Sequence, residues 1–316
     1  MTDQNQTEIT ALLPEFRRAL EENDRRPRTI TGYLSDLTQF VAWWQQQYDS
    51  PPTLTAITAH DVRDYRDHLQ QVERLSPPTV NRRLASLRVL LTWAVDTGRL
   101  AHNPAARIRG IKLAARTVPR WLSRTEQQRL VNALDRTVQL AMTLADHPAA
   151  GLSVQAVRDR ALLVLLLNTG LRVLEAVSLT LDDVTLNGRS GAVFVQDGKG
   201  GKARTIPLNS RTRELLDEYL ALRPAHGSRR LFVGQRGPIG SRQVLRLLKK
   251  YSRHAGLAAE EISVHTLRHT FGKNLVDAGV SLDQVATLMG HANLNTTRIY
   301  TTPGRRDLQR AVERLG

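Results

Sequence analysis

The sequence predicts a mainly α protein with a small β-sheet, built as a helical N-terminal domain followed by a mixed α/β domain. Three observations carry this. At 316 residues the chain exceeds what one hydrophobic core usually organises, so two domains are expected. Apolar residues recur at helical spacing through most of the first hundred positions. The only clear strand alternation is "GAVFVQ" (191–196) and "ARTIPL" (203–208), joined by the glycine-rich "DGKGGK" as a hairpin.

In order, residues 14 to about 105 read as helices. In "TITGYLSDLTQFVAWW", Ile30, Tyr33, Leu34, Leu37, Phe40, Val41 and Trp44 share one face. "PTVNRRLASLRVLLTWAVDTG" buries Leu84, Leu87, Leu91 and Ala94, keeps Arg82, Arg83 and Arg88 elsewhere on its surface, and ends at Gly98. The first domain is expected over 1–105. Residues 106–120, basic and without a clear period, read as a linker, and 121–316 as the second domain. That domain opens with a Ser123…Glu126 capping box. A loop is expected near 146–153, within the 145–157 region. A buried helix then spans 158–170, stopped at Gly170, and the chain returns to helices after the hairpin.

The charge names the partner class. A net +15 with a pI of about 11 calls for a polyanion, most commonly nucleic acid. The longest apolar run, "ALLVLLL" (161–167), is too short to span a bilayer, and "MTDQNQTEIT" has no signal-peptide pattern, so a cytoplasmic protein without a membrane is expected. The absence of cysteine excludes disulfides and thiolate chemistry.

"HTLRH" (265–269) sets His265, Arg268 and His269 on one helical face, opposite Leu267, Phe271, Leu275 and Ala278. Three nitrogen-rich side chains can hold a metal, hold an anion, or sit in water. A zinc helix needs Glu at the second position, where Thr266 stands, and Arg268 repels a cation. Further candidates follow: Arg172 after the Gly170 break with Glu175 one turn on, Lys199 and Lys202 on the hairpin tip, His291 after Gly290, and Tyr300. Each alone reads as an ion pair, a solvated turn or packing. Together they suit phosphoryl transfer without a metal or cofactor. Guanidiniums grip phosphate through its charged transition state. One of only six lysines, in a chain with 39 arginines, can protonate a leaving group. An assisted tyrosine can attack.

Order and spacing resemble the tyrosine recombinases, particularly the Xer-like site-specific recombinases. The resemblance runs from "TITGYLSDLTQF" through "TVNRRLASLRVLL", "TGLRVLEAVSL", "GKGGKARTIPL" and "HTLRHTF" to "LMGHANLNTTRIYT". It implies a helical core-binding domain and a catalytic domain that close as a clamp on DNA. Arg172, Lys199, His265, Arg268, His291 and Tyr300 fall on the active-site positions, with Glu175 supporting Arg172. Val264 departs from the proline that often precedes this histidine, the 145–157 region looks long, and no added arm-binding domain is expected.

The implied reaction is attack by Tyr300 on a phosphodiester, giving a 3′-phosphotyrosyl link and a free 5′-hydroxyl, resealed without ATP. Arg172, Arg268 and His291 would hold the phosphate, His265 would accept the tyrosine proton, and Lys199, or else Lys202, would protonate the 5′-oxygen. Double-stranded DNA with inverted-repeat half-sites is the implied partner. The implied assembly is a homotetramer, or a heterotetramer with a second recombinase. A DNA-relaxing topoisomerase and a non-catalytic DNA-binding regulator are the other classes. After Tyr300, Leu308, Ala311, Val312 and Leu315 form a helical stripe that needs an apolar surface; the resemblance implies that this C-terminal helix is donated to a neighbouring subunit, with docking on its own chain as the alternative.

Overall fold

The computed structural model describes residues 7–113, 119–143, 150–196, 203–225, 227–290, 297–301 and 312–313. The chain divides into two compact units, Met1–Thr117 and Val118–Gly316.

The first unit holds four helices, α1 (Ile9–Glu22), α2 (Pro27–Tyr48), α3 (Ala59–Gln71) and α4 (Pro77–Asp96). Proline opens α2 and α4 at the position where a missing N–H costs nothing. Thr58 caps α3 with reciprocal bonds to Asp61. The expected face of α2 is inside: Ile30, Leu37, Phe40, Val41 and Trp44 are buried with Tyr65 and the α4 leucines. Burying each such side chain contributes ~1.5–3 kcal/mol. Asp36 is buried beside them and accepts bonds from Arg82 (2.5 Å) and Ser86 (2.7 Å), which join α2 to α4.

The segment 106–120, read as a linker from its sequence, begins as part of this unit. Asn81 exchanges two bonds with the backbone of Ile111 (2.9 and 2.7 Å). Arg88 donates to the carbonyls of Ala105 and Ile108 (3.3 and 3.0 Å), and Ile108 is buried. These bonds replace the regular period that a sequence reading looks for.

The second unit is built around α6 (Ala150–Thr169), whose run Ala161–Leu167 is buried on every side by α5 (Arg124–Thr143), α8 (Ser210–Leu222) and α10 (Val264–Asp277). The helix starts well before 158, so the loop expected at 146–153 is helical from Ala150 onward. Helical packing of Val157, Ala156 and their neighbours overrides the weak propensity of Gly151. The buried charges on α6 are paired: Arg158 with Asp159, and Arg160 with Asp135 and Glu218.

After the short α7 (Val173–Ser178) come β1 (Val184–Asn187), β2 (Ser190–Val195) and β3 (Arg204–Pro207), an antiparallel sheet in that order. The hairpin β2–β3 is the expected one, with Val193 opposite Ile206. Strand β1 was not foreseen, although Asn187-Gly188 ahead of β2 is a hairpin turn signal. A two-stranded ribbon, β4 (Val233–Gly234) and β5 (Gly237–Pro238), precedes α9 (Ser241–His254). After α10 comes α11 (Leu282–Met289), and a 3-10 turn spans Arg298–Tyr300.

Candidate functional site

Helix α10 starts at a Ser263 cap whose hydroxyl accepts the Thr266 N–H (3.2 Å). Val264 occupies the first helical position, where proline is generally favoured, and the start is secured by the cap. One turn on, Arg268 points inward. It is 5% exposed and donates to the carbonyls of Gly170 and, at 2.5 Å, Met289. The three residues of "HTLRH" therefore do not project together into solvent: Arg268 is buried, His269 half-buried, and only His265 exposed. Helix α10 is buried on more than its apolar side, because Thr266 and Thr270 are covered as well.

Gly170, at φ +60°, breaks α6 and turns the chain into α7. Arg172 caps α7 and is bound to Glu175 twice, through its N–H (2.8 Å) and through Nη1 (2.8 Å). Its Nη2 donates to the Gly290 carbonyl at 3.0 Å. A third guanidinium, Arg204 on β3, spans both oxygens of Glu175 (3.2 and 2.8 Å) and reaches the Leu288 carbonyl (3.1 Å). Arg172, Arg204 and Arg268 thus converge on the last carbonyls of α11, the negative end of its dipole. Burial pushes the Glu175 carboxyl up, but bonds from Arg204 and Arg172 outweigh it and hold the group below its ordinary value. Burial, and then the charge of Arg172, lowers Arg268 to about 10, which leaves it charged at neutral pH.

Tyr300 lies against α10 one turn beyond Arg268, over Gly272. It is 1% exposed and packs with Phe271, Val285 and Met289. Its ring covers Gly272 so closely that a Cβ there would stand 2.7 Å from Cε2 and Cζ. Its hydroxyl is 2.9 Å from His269 Nδ1. Burial pushes the phenol up to about 12. Burial, followed by the charges of His265 and Arg268, pushes His269 down to about 4. His265, although its ring is open to solvent on one side, is lowered by partial burial and then by the charges of Arg268 and Arg172.

Of the residues singled out from sequence, the structure brings together Arg172, Glu175, Arg268 and Tyr300, with His265 on the same helix as Arg268. Lys199, Lys202 and His291 lie outside the described residues, as do most of 302–316. Val312 is described and exposed. Sequence reasoning assigned Tyr300's proton to His265, but the ring in contact with the hydroxyl is His269. Arg204 was passed over. Its signal was phase: it shares the inward side of β3 with Ile206, a charge where an apolar residue is the rule. Among the described residues no three His, Asp or Glu gather as a metal ligand set, and no helix is long and apolar enough to cross a membrane.

Residues 120–305 match the phage integrase family, and residues 13–98 match the phage integrase N-terminal SAM-like domain. The TnP I resolvase of Bacillus thuringiensis is 29% identical over 306 residues, 95% of this chain and 98% of that protein. The tyrosine recombinase XerD of Vibrio cholerae is 33% identical over 293 residues, 90% of this chain and 87% of it. XerC of Rhodospirillum centenum is 32% identical over 301 residues, 94% and 84%. Among solved structures, the XerH site-specific recombinase in a post-cleavage complex with palindromic difH superposes with a TM-score of 0.73 at 23% identity, covering 96% of this chain and 83% of that one. A lambda integrase dimer on a COC′ core site gives 0.67 at 17% identity, over 94% and 78%.

Proposed function

The chain belongs to the phage integrase family, and from that premise we propose that Tyr300 is the nucleophile with which it cuts and rejoins DNA. Its likeness to XerC and XerD makes it a tyrosine recombinase of the Xer type, a site-specific strand-breaking and rejoining enzyme. The observation that carries the assignment is the 2.9 Å contact between Tyr300 and His269, on the helix that also carries Arg268.

Tyr300 Oη attacks phosphorus, the bond to the 5′-oxygen breaks, and a 3′-phosphotyrosyl link holds the strand. Arg268 and Arg172 balance the charge that grows on the non-bridging oxygens. His265, exposed beside them, donates to the same phosphate, and His291 adds to it. His269 Nδ1 takes the phenolic proton, and Lys199 supplies one to the departing 5′-oxygen. With Tyr300 near 12 and His269 near 4, the proton stays on the tyrosine in the free chain. Burial is the first cause of that depression; a phosphodiester beside His269 offsets the charges of His265 and Arg268 that follow it, and so raises the affinity of the ring for the phenolic proton on DNA. The covering of Tyr300, 1% exposed, must also shift before its hydroxyl meets phosphorus. Resealing by the partner strand's 5′-hydroxyl reverses these steps and needs neither ATP nor metal.

The partner is DNA. Two inverted half-sites, each filled by one protomer, and two such duplexes joined in a tetramer are the arrangement proposed here. The general preference of oligomers for closed symmetry supports it, as does the palindromic substrate of the XerH complex.

The test is Tyr300→Phe on a duplex selected for binding from a random-sequence pool. The variant is expected to bind as wild type does, since net charge is unchanged, and to form no covalent adduct. An adduct from the variant would remove Tyr300 from the role. Relaxation of any supercoiled plasmid without recombinants would favour a topoisomerase, and binding without an adduct from the wild type a regulator.

A further inference from the structure

We propose that Arg204 is a positioning residue for strand cleavage, holding Arg172 and the segment that leads to Tyr300 in one register; this rests on the roles given above to those two residues. The guanidinium is 6% exposed and joins three parts of the chain. It sits on β3, two residues after Lys202 in the sequence. It spans both oxygens of Glu175, at 3.2 and 2.8 Å, and its Nε reaches the Leu288 carbonyl at 3.1 Å. Glu175 in turn binds the Arg172 N–H and Nη1. With both oxygens fixed from two sides, the carboxylate cannot rotate, and the Arg172 guanidinium cannot swing with it.

Fold stability alone is a weak reason for this charge. The inward side of a strand is normally apolar, and a buried ion pair seldom stabilises more than well-packed apolar side chains do. A fork of fixed geometry is instead suited to setting the angle of a second fork through a shared carboxylate. The other end of the contact supports the same role. Gly290 adopts φ +63° directly against Arg204, and a Cβ there would lie 2.8 Å from Nη1. The residue that ends α11 is thus shaped to admit the guanidinium. From that end the chain runs on through His291 to Tyr300. One side chain therefore registers the α7 clamp against the nucleophile's segment. It does so from within, without reaching DNA.

The test compares Arg204→Met and Arg204→Lys with wild type on the selected duplex, nicked so that cleavage traps the adduct. Four quantities are measured: binding, its salt dependence, single-turnover cleavage and the melting temperature. Arg204→Met is expected to bind within about threefold of wild type with an unchanged salt slope, because no phosphate contact is lost. Its cleavage rate is expected to fall about 100-fold, the cost of a misplacement near 1 Å. Arg204→Lys keeps the charge and part of the bonding, and is expected to recover about tenfold of that loss. Cleavage by Arg204→Met at the wild-type rate would overturn the proposal. So would a salt slope reduced by about one, which marks a direct phosphate contact. A lysine variant no better in cleavage than methionine, with melting temperature falling in step, would reduce Arg204 to a fold residue. A wild-type chain that forms no adduct would overturn the nucleophile assignment itself, an outcome distinct from all three.

Discussion

Gly272→Ala places one methyl group under the ring of Tyr300, and the geometry sets the consequence. The new carbon would lie 2.7 Å from Cε2 and Cζ of Tyr300 and 2.9 Å from Met289 Sδ. Unstrained carbon atoms meet at about 3.5–4.0 Å, so the ring must retreat by about 1 Å. Cζ bears the hydroxyl, which moves with it and loses its 2.9 Å contact with His269. Overpacking costs about 1–3 kcal/mol. Replacing glycine within a helix returns about 1 kcal/mol, so the net loss is roughly 0–2 kcal/mol. For a unit of this size that lowers the melting temperature by at most about 8 °C. Cleavage should suffer far more, by about 100-fold, because the reacting atom itself is displaced. Gly32→Ala is the control: it lies within α2, and nothing stands within 4 Å of its Cβ. That change should leave cleavage untouched and stabilise by up to about 1 kcal/mol. The assay is single-turnover adduct formation on the nicked duplex, with melting followed in parallel. Cleavage by Gly272→Ala within twofold of wild type would refute the reasoning, since the ring would then reach phosphorus without its resting seat.

Three further outcomes are expected. His269 is held near 4 in the folded chain against an ordinary 6.5, so between those values the unfolded chain takes up a proton that the folded chain refuses. Stability therefore falls as pH drops from 6.5 to 4, and His269→Asn should flatten that slope in melting curves. His265, lowered in the same direction, leaves the remainder. Lys199→Ala should be rescued by a substrate with a 5′-bridging sulfur, since a thiolate departs without a proton; rescue of Lys202→Ala instead would transfer the role. Removal of residues 305–316 should leave half-site binding intact but abolish cooperative filling of the second half-site in gel-shift titration; undiminished cooperativity would refute docking on a neighbour, and loss of folded monomer would point to docking on the same chain.

How much of this was legible in the sequence depends on the range of each interaction. Local signals held: Gly98 just past the end of α4, the Ser123–Glu126 capping box, Gly170 ending α6, and the alternation of β2 and β3. Strand β1 was written just as locally, in Asn187-Gly188, and went unread because four residues of mixed polarity make a weak period beside a long hairpin. The start of α6 was misread for the opposite reason, since Gly151 is a true local signal that packing overrules.

The site's inner wiring belongs to neither case. A helical wheel gives the angle of a side chain about its own axis and says nothing of what stands opposite. By that measure His265 and His269, four residues apart on α10, are near equivalents. They differ because Tyr300, 31 positions further on, packs over Gly272, and that places its hydroxyl beside His269. Glycine at 272 was in plain view, yet its meaning exists only with the ring above it. Arg204 is the same problem in a strand. Its phase with Ile206 marks it as inward, but its partners are Glu175, 29 residues before it, and the end of α11, 84 residues after. A charge in the inward phase of a short strand is thus a question the sequence poses and only the packing of three distant segments answers.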